Sequence, residues 1–247
     1  MRRGKVWIVG AGPGDPELIT VKGLRVLREA DVVLYDRLVH PKLLEEVREG
    51  AELIYVGKAP GRHAMSQDEI NRLLVEKALE GKTVVRLKGG DPYVFGRGEE
   101  ECAYVIEHGV ECEVVPGVSS AIAAPAYAGI PVTSRWYASS VALVTGMEAA
   151  EKERPRVDYA RIAAAVDTVV VLMGVSRLEH ITSEMVRARP PSTPAAIVER
   201  GTLPEQRVIV STLGEIAARA REEGVRPPAV LVVGDVVRLR ERLWRLR

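Results

Sequence analysis

Asp36, Lys58 and the run Lys88-Gly89-Gly90-Asp91-Pro92 share one placement: each follows a short apolar run that reads as a strand. A carboxylate and an ammonium so placed can exchange protons with a ligand. The adjacent Gly89 and Gly90 let a ligand approach the backbone, and Asp91 can accept from hydroxyl or ammonium groups. The same five residues also suit a tight turn with a helix-capping Asp. Gly10-Ala11-Gly12-Pro13-Gly14-Asp15 follows Val6–Val9 as a dinucleotide fingerprint would, but Asp15 stands where the third glycine belongs. Pro13 and Pro16 also interrupt the helix start that would hold a pyrophosphate. NAD binding is therefore disfavoured, although Asp36 imitates the ribose-binding acid. Gly81-Lys82-Thr83 is not a phosphate loop, because Glu76 occupies the earlier glycine position. Arg97, Glu99, Glu100 and Glu101 open a helix; acids in a first turn offset the helix dipole, so most should be solvated. His40, His63, His108 and His180 lack metal spacing. Cys102 and Cys112 fit no zinc pattern and read as small packed residues, so no metal is expected.

These residues need a scaffold of alternating strands and helices. Strands are predicted at Val6–Val9, Val32–Tyr35, Leu53–Val56, Thr83–Leu87 and Glu113–Val115. Between them, Thr20 can cap a helix through Glu29, Pro41 opens a short one, and Ser66 with Glu69 forms a capping box. A helix from about Glu99 to His108 precedes the fifth strand, and Gly117–Ala128 looks helical despite Pro125. Such alternation implies βαβ units in a mostly parallel sheet, with ligands bound beyond the carboxyl ends of the strands. Gly129–Arg135 has no periodicity and could join two domains. Beyond it, strands are predicted at Val141–Thr145, Thr168–Met173, Ala195–Glu199, Arg207–Ser211 and Val230–Val233, with helices at Tyr159–Ala165, Ser176–Arg187 and Leu213–Glu223. The short link between the third and fourth of these strands makes that pair antiparallel. The expectation is two α/β domains, 1–134 and 135–247, the second with a mixed sheet.

Composition narrows the class. The 247 residues are 47% hydrophobic and 28% charged, as in globular chains. The net charge of +1 gives no field that would draw nucleic acid or a membrane surface. No apolar run approaches the ~18 residues of a membrane span, and the apolar run near the N-terminus is too short for a signal peptide. A cytoplasmic location is expected. Arg supplies 27 of the 35 basic residues, while the chain has one Asn and two Gln, a balance that fits a thermophile.

Taken together, the motifs resemble the tetrapyrrole (corrin/porphyrin) methyltransferase family over almost the whole chain. The resemblance runs through Val9–Thr20, Tyr35-Asp36-Arg37-Leu38-Val39, Val56-Gly57-Lys58, Arg86–Gly98, Val115–Ser120, Gly129–Thr133, Leu172-Met173-Gly174 and Pro228-Ala229. The segments around Asp36, Lys58 and Arg86–Gly98 resemble the branch acting on uroporphyrinogen III. The resemblance implies two α/β domains with S-adenosylmethionine in the cleft between them. It implies cofactor contacts at Pro13, Gly89, Gly90, Asp91, Val94, Ser119, Ser120, Met173, Gly201 and Ala229. Asp36 and Lys58 would handle protons, and Arg97, Glu100, Arg135 and Met173 would surround the substrate. The implied reaction methylates uroporphyrinogen III at carbons 2 and 7, giving precorrin-2 and two S-adenosylhomocysteines. A homodimer without fused neighbouring domains is expected, and Ser134 and Met147 stand where the family commonly has His. The alternatives are methylation of a later precorrin or, in another class, an NAD-dependent oxidoreductase.

Overall fold

The structure, a computed structural model, describes residues 4–57, 65–148 and 156–244. The chain forms two compact units divided between Ser119 and Ser120. In the first, β1 (Lys5–Gly10), α1 (Val21–Arg28), β2 (Val32–Tyr35), α2 (Pro41–Leu44), β3 (Glu52–Tyr55), α3 (Gln67–Leu79), β4 (Thr83–Lys88), α4 (Gly98–Glu107) and β5 (Glu111–Val115) follow one another. The strands form a sheet in the order β3-β2-β4-β1-β5, and every pairing is parallel.

Side chains alternate across this sheet and bury both faces. Val9, Val33, Val85 and Leu87 meet Val26 and Leu27 of α1 and Leu43 of α2. On the other face Val6, Ile8, Leu34 and Val84 meet Ile70 and Leu74 of α3 and Val105 of α4. Thr20 caps α1 through the Gly23 amide, and the expected Ser66–Glu69 capping box starts α3. The glycine-rich segments after β1 and β4 leave the same, carboxyl edge of adjacent strands.

The second unit comprises α5 (Ser120–Tyr127), β6 (Val141–Thr145), α6 (Tyr159–Ala165), β7 (Thr168–Leu172), α7 (Leu178–Met185), β8 (Pro194–Glu199), β9 (Arg207–Thr212), α8 (Ile216–Glu222), β10 (Ala229–Val233) and α9 (Arg240–Leu243). Its sheet, β6-β7-β10-β8-β9, is mixed: β6 and β7 run parallel, and the other pairs are antiparallel. The division falls earlier than the boundary expected after Ser134. The reason is α5, whose Ala121, Ala123 and Ala124 are buried and which packs on β7 and β10.

One expectation from sequence is corrected. Cys102 and Cys112 form a disulfide, their Cα atoms 5.7 Å apart, because α4 folds back onto β5. Of the charged residues that open α4, Arg97, Glu99 and Glu100 are exposed, as expected for most of them, while Glu101 is wholly buried. Among the described residues, no helix is long and apolar enough to cross a membrane.

Candidate active site

The segments after β1 and β4 are stitched together. The Gly12 amide donates to the Gly90 carbonyl at 3.2 Å, and the Gly90 amide donates to that of Gly12 at 2.6 Å. Both glycines lie in the left-handed region, φ +82° and +68°, which explains their residue type. Gly117, after β5, closes on the same spot: a Cβ on Gly10 would lie 2.6 Å from the Gly117 Cα and 2.7 Å from the Gly90 oxygen. Gly10, Gly90 and Gly117 thus pack main chain against main chain, with no room for a Cβ at Gly10 or Gly117.

Asp91 holds this arrangement. Its Oδ1 accepts from the Tyr93 and Val94 amides at 2.8 and 3.1 Å, and its Oδ2 accepts from the Gly117 amide at 3.0 Å. The tight turn expected at Asp91 is present, but Asp91 caps no helix, since α4 begins only at Gly98 with Arg97 as its N-cap. The turn after β2 rests against this assembly, since a Cβ on Gly89 would lie 2.6 Å from the Leu38 Cβ. Pro13, Gly89, Gly90, Asp91 and Val94 all belong to these connected turns. Ser119 ends the first unit.

Asp36 stands in the turn after β2. Its Oδ1 accepts from the Leu38 amide at 3.0 Å, and its Oδ2 faces the Arg86 Nη2 at 3.4 Å. Lys58 lies outside the described residues. Behind Asp36 is a buried charge cluster that sequence reasoning missed. Glu101 Oε1 accepts from Arg86 Nε at 3.1 Å, Lys88 Nζ at 2.9 Å and Gln67 Nε2 at 3.1 Å. Burial pushes the Lys88 ammonium below its ordinary range; the neighbouring Arg86 adds to that shift, and Glu101 opposes it. The signal was available in β4, where two cations alternate in an otherwise apolar buried strand and must share one face.

Arg97 and Glu100 pair with each other in a fork, Nε to Oε1 at 3.0 Å and Nη2 to Oε2 at 2.6 Å. This bond holds the Glu100 carboxyl below the usual carboxylate range and raises the Arg97 guanidinium. Arg97 has φ +60°. The other non-glycine residues of positive φ among those described are Phe95, Met173, Arg200 and Thr202. Each is a predicted site residue or its immediate neighbour, and strained backbone of this kind concentrates where ligands are held.

In the second unit, the pairing of Val230 with Leu172 and of Ala229 with Glu199 brings Met173, Ala229 and Gly201 to one edge of the sheet. Gly201 is fixed by packing, since a Cβ there would lie 2.3 Å from that of Ala124. Ser120 begins α5, on the same unit. Arg135 is exposed, its guanidinium 5.3 Å from the centre of the Trp136 ring. Arg135 is not brought to the Met173 edge by any strand pairing. Met147 is exposed, and Ser134 bridges to Ala138.

The family description "Tetrapyrrole (Corrin/Porphyrin) Methylases" matches residues 5–217. A uroporphyrinogen-III C-methyltransferase of Methanocaldococcus jannaschii is 55% identical over 236 residues, covering 95% of this chain and 97% of that protein. A protein of the same name from Bacillus subtilis is 49% identical over 245 residues, covering 99% of this chain but only 51% of the longer relative. Among solved structures, uroporphyrin-III C-methyl transferase from Thermus thermophilus complexed with S-adenyl homocysteine aligns at TM-score 0.80 and 45% identity, over 96% of this chain and 94% of that one.

Proposed function

Because the chain belongs to the tetrapyrrole (corrin/porphyrin) methylase family, we propose that it transfers methyl groups from S-adenosylmethionine to carbons 2 and 7 of uroporphyrinogen III. The products are precorrin-2, by way of precorrin-1, and two S-adenosylhomocysteines. The observation that supports this reading is the backbone pairing of Gly12 with Gly90, which joins the turns after β1 and β4 at the carboxyl edge of the sheet, with the Asp36–Leu38 turn packed against Gly89. The carboxyl edge of a parallel sheet, where these turns lie, is where such folds hold their ligands.

In this reading the cofactor-binding residues are Pro13, Gly89, Gly90, Val94, Ser119, Ser120, Met173, Gly201 and Ala229, with Asp91 shaping the turns. Bound S-adenosylmethionine supplies an electrophilic methyl for an electron-rich pyrrole carbon. The chain's own residues orient and deprotonate. Arg97 and Arg135 bind substrate carboxylates, for which a planar guanidinium is suited. Glu100 holds the Arg97 fork open and flat until a carboxylate exchanges for it, and Met173 offers a soft apolar contact to the macrocycle. The ring must finally lose a proton, a task for Asp36, with Lys58 as its acid/base counterpart. Positioning carries most of the rate, because holding reactants together can remove ~7–11 kcal/mol of barrier.

We further take the enzyme to work as a homodimer in the cytoplasm of a thermophile, without a metal. A disulfide inside a cytoplasmic protein is compatible with that habitat. Titration calorimetry with S-adenosylhomocysteine and with NAD tests the class of enzyme. Binding of the former alone is expected; binding of NAD alone would overturn the assignment in favour of an oxidoreductase.

A further inference from the structure

The four charged side chains around β4 balance one another: Arg86 and Lys88 against Glu101 and Asp36. Three are sealed from solvent, with side-chain exposures of 5% for Arg86, 7% for Lys88 and 0% for Glu101, whereas Asp36 retains 25%. Asp36 is thus the member of the cluster that solvent reaches, and it stands in the turn after β2. A buried ion pair contributes little net stability, since a well-packed apolar pair would do as well. Its retention here calls for another reason. Glu101 directs a single oxygen, Oε1, at Arg86, Lys88 and Gln67, and its buried Oε2 has no hydrogen-bond partner among the described residues. Such an arrangement favours the placement of the cations over the satisfaction of the carboxylate.

Arg86 is the side chain so placed. Its Nε is held by Glu101, its Nη1 donates to the carbonyls of Leu87 at 3.0 Å and Leu34 at 3.5 Å, and its Nη2 is left for Asp36. With the Leu38 amide on the other oxygen, the Asp36 carboxylate is fixed at both ends. We propose that Arg86, clamped by Glu101, is the positioning residue that sets the orientation of Asp36 for proton removal. The inference rests on the reading of Asp36 as an acid/base group. A planar guanidinium with several donors can face two carboxylates at once, which a lysine ammonium at the same position cannot do with the same reach.

The test is a double-mutant cycle on steady-state kinetics with Arg86→Lys, Asp36→Asn and the double variant. Arg86→Lys preserves the buried positive charge while removing the fork. It is expected to lower kcat about tenfold, with KM and S-adenosylhomocysteine affinity nearly unchanged, against a loss of about a hundredfold or more for Asp36→Asn. If Arg86 acts through Asp36, the double variant is no slower than Asp36→Asn alone. If the tenfold loss recurs undiminished in the Asp36→Asn background, Arg86 acts elsewhere and the inference is overturned, while the acid/base reading survives. Full activity of Asp36→Asn would overturn that reading, and this inference with it. Glu101→Gln, which keeps the shape of the clamp, runs through the same cycle should Arg86→Lys fail to fold. An unchanged kcat for Glu101→Gln would refute the clamp.

Discussion

Gly12 and Gly90 exchange a reciprocal pair of backbone hydrogen bonds between the turns that follow two adjacent parallel strands. This stitch joins the two glycine-rich segments, and Gly10 and Gly117 pack main chain against main chain beside it. Gly10→Ala places a methyl against main-chain atoms that have no rotamer with which to yield. It is expected to cost about 1–3 kcal/mol of stability and to weaken S-adenosylhomocysteine binding. Thermal unfolding and calorimetry on the variant check both. Unchanged stability and affinity would mean that the turns rearrange freely.

Asp91 accepts three backbone amides from two segments. Asp91→Ala leaves all three without this partner and is expected to destabilise by about 1–2 kcal/mol, the scale of a lost cap. Cofactor affinity should fall with it. Asp91→Asn keeps an acceptor oxygen and should lose less of both. Equal losses in the two variants would point to the charge rather than the turn.

The Arg97–Glu100 fork is exposed, so its contribution to stability should not exceed about 1 kcal/mol. Because Arg97 depresses the Glu100 carboxyl, that contribution is present above the ordinary Glu pKa of about 4.3 and fades as pH falls through the lower folded value. Wild type and Glu100→Gln should therefore converge in urea stability below that range. At neutral pH, Glu100→Gln is expected to lower KM for a polycarboxylate substrate by freeing the fork, and Arg97→Ala to raise it. Opposite shifts would contradict the assignment of Arg97 to carboxylate binding.

Cys102 and Cys112 close a short loop from α4 to β5. Reduction with a phosphine should lower the melting temperature, since closing a loop of this size contributes about 2–3 kcal/mol. Peptide mass mapping without reductant should recover the two cysteines as one linked species. Recovery as two free thiols would remove the crosslink from the account.

The parallel first sheet and its glycine turns were legible because their signals are local. A strand followed by glycines and then a capped helix has few alternatives. The turn at Asp91 was legible for the same reason, although the helix it was read as capping begins only at Gly98. The buried state of Glu101 was not, because acids opening a helix are ordinarily solvated. Its neutralising partners, Arg86 and Lys88, come from another element. Only the alternation of two cations inside an apolar strand hinted at it. The unit boundary was misplaced because α5 is Ala-rich and carries no amphipathic stripe to show which sheet it covers. The disulfide was missed because sequence spacing alone does not show that α4 folds back beside β5.

Uroporphyrinogen III and S-adenosylmethionine, incubated anaerobically with the protein and then oxidised, should yield a macrocycle heavier by two methyl groups, with two S-adenosylhomocysteines formed per ring. No gain in mass from a preparation that still binds S-adenosylhomocysteine would contradict the assignment of this substrate and move the methyl acceptor to another molecule.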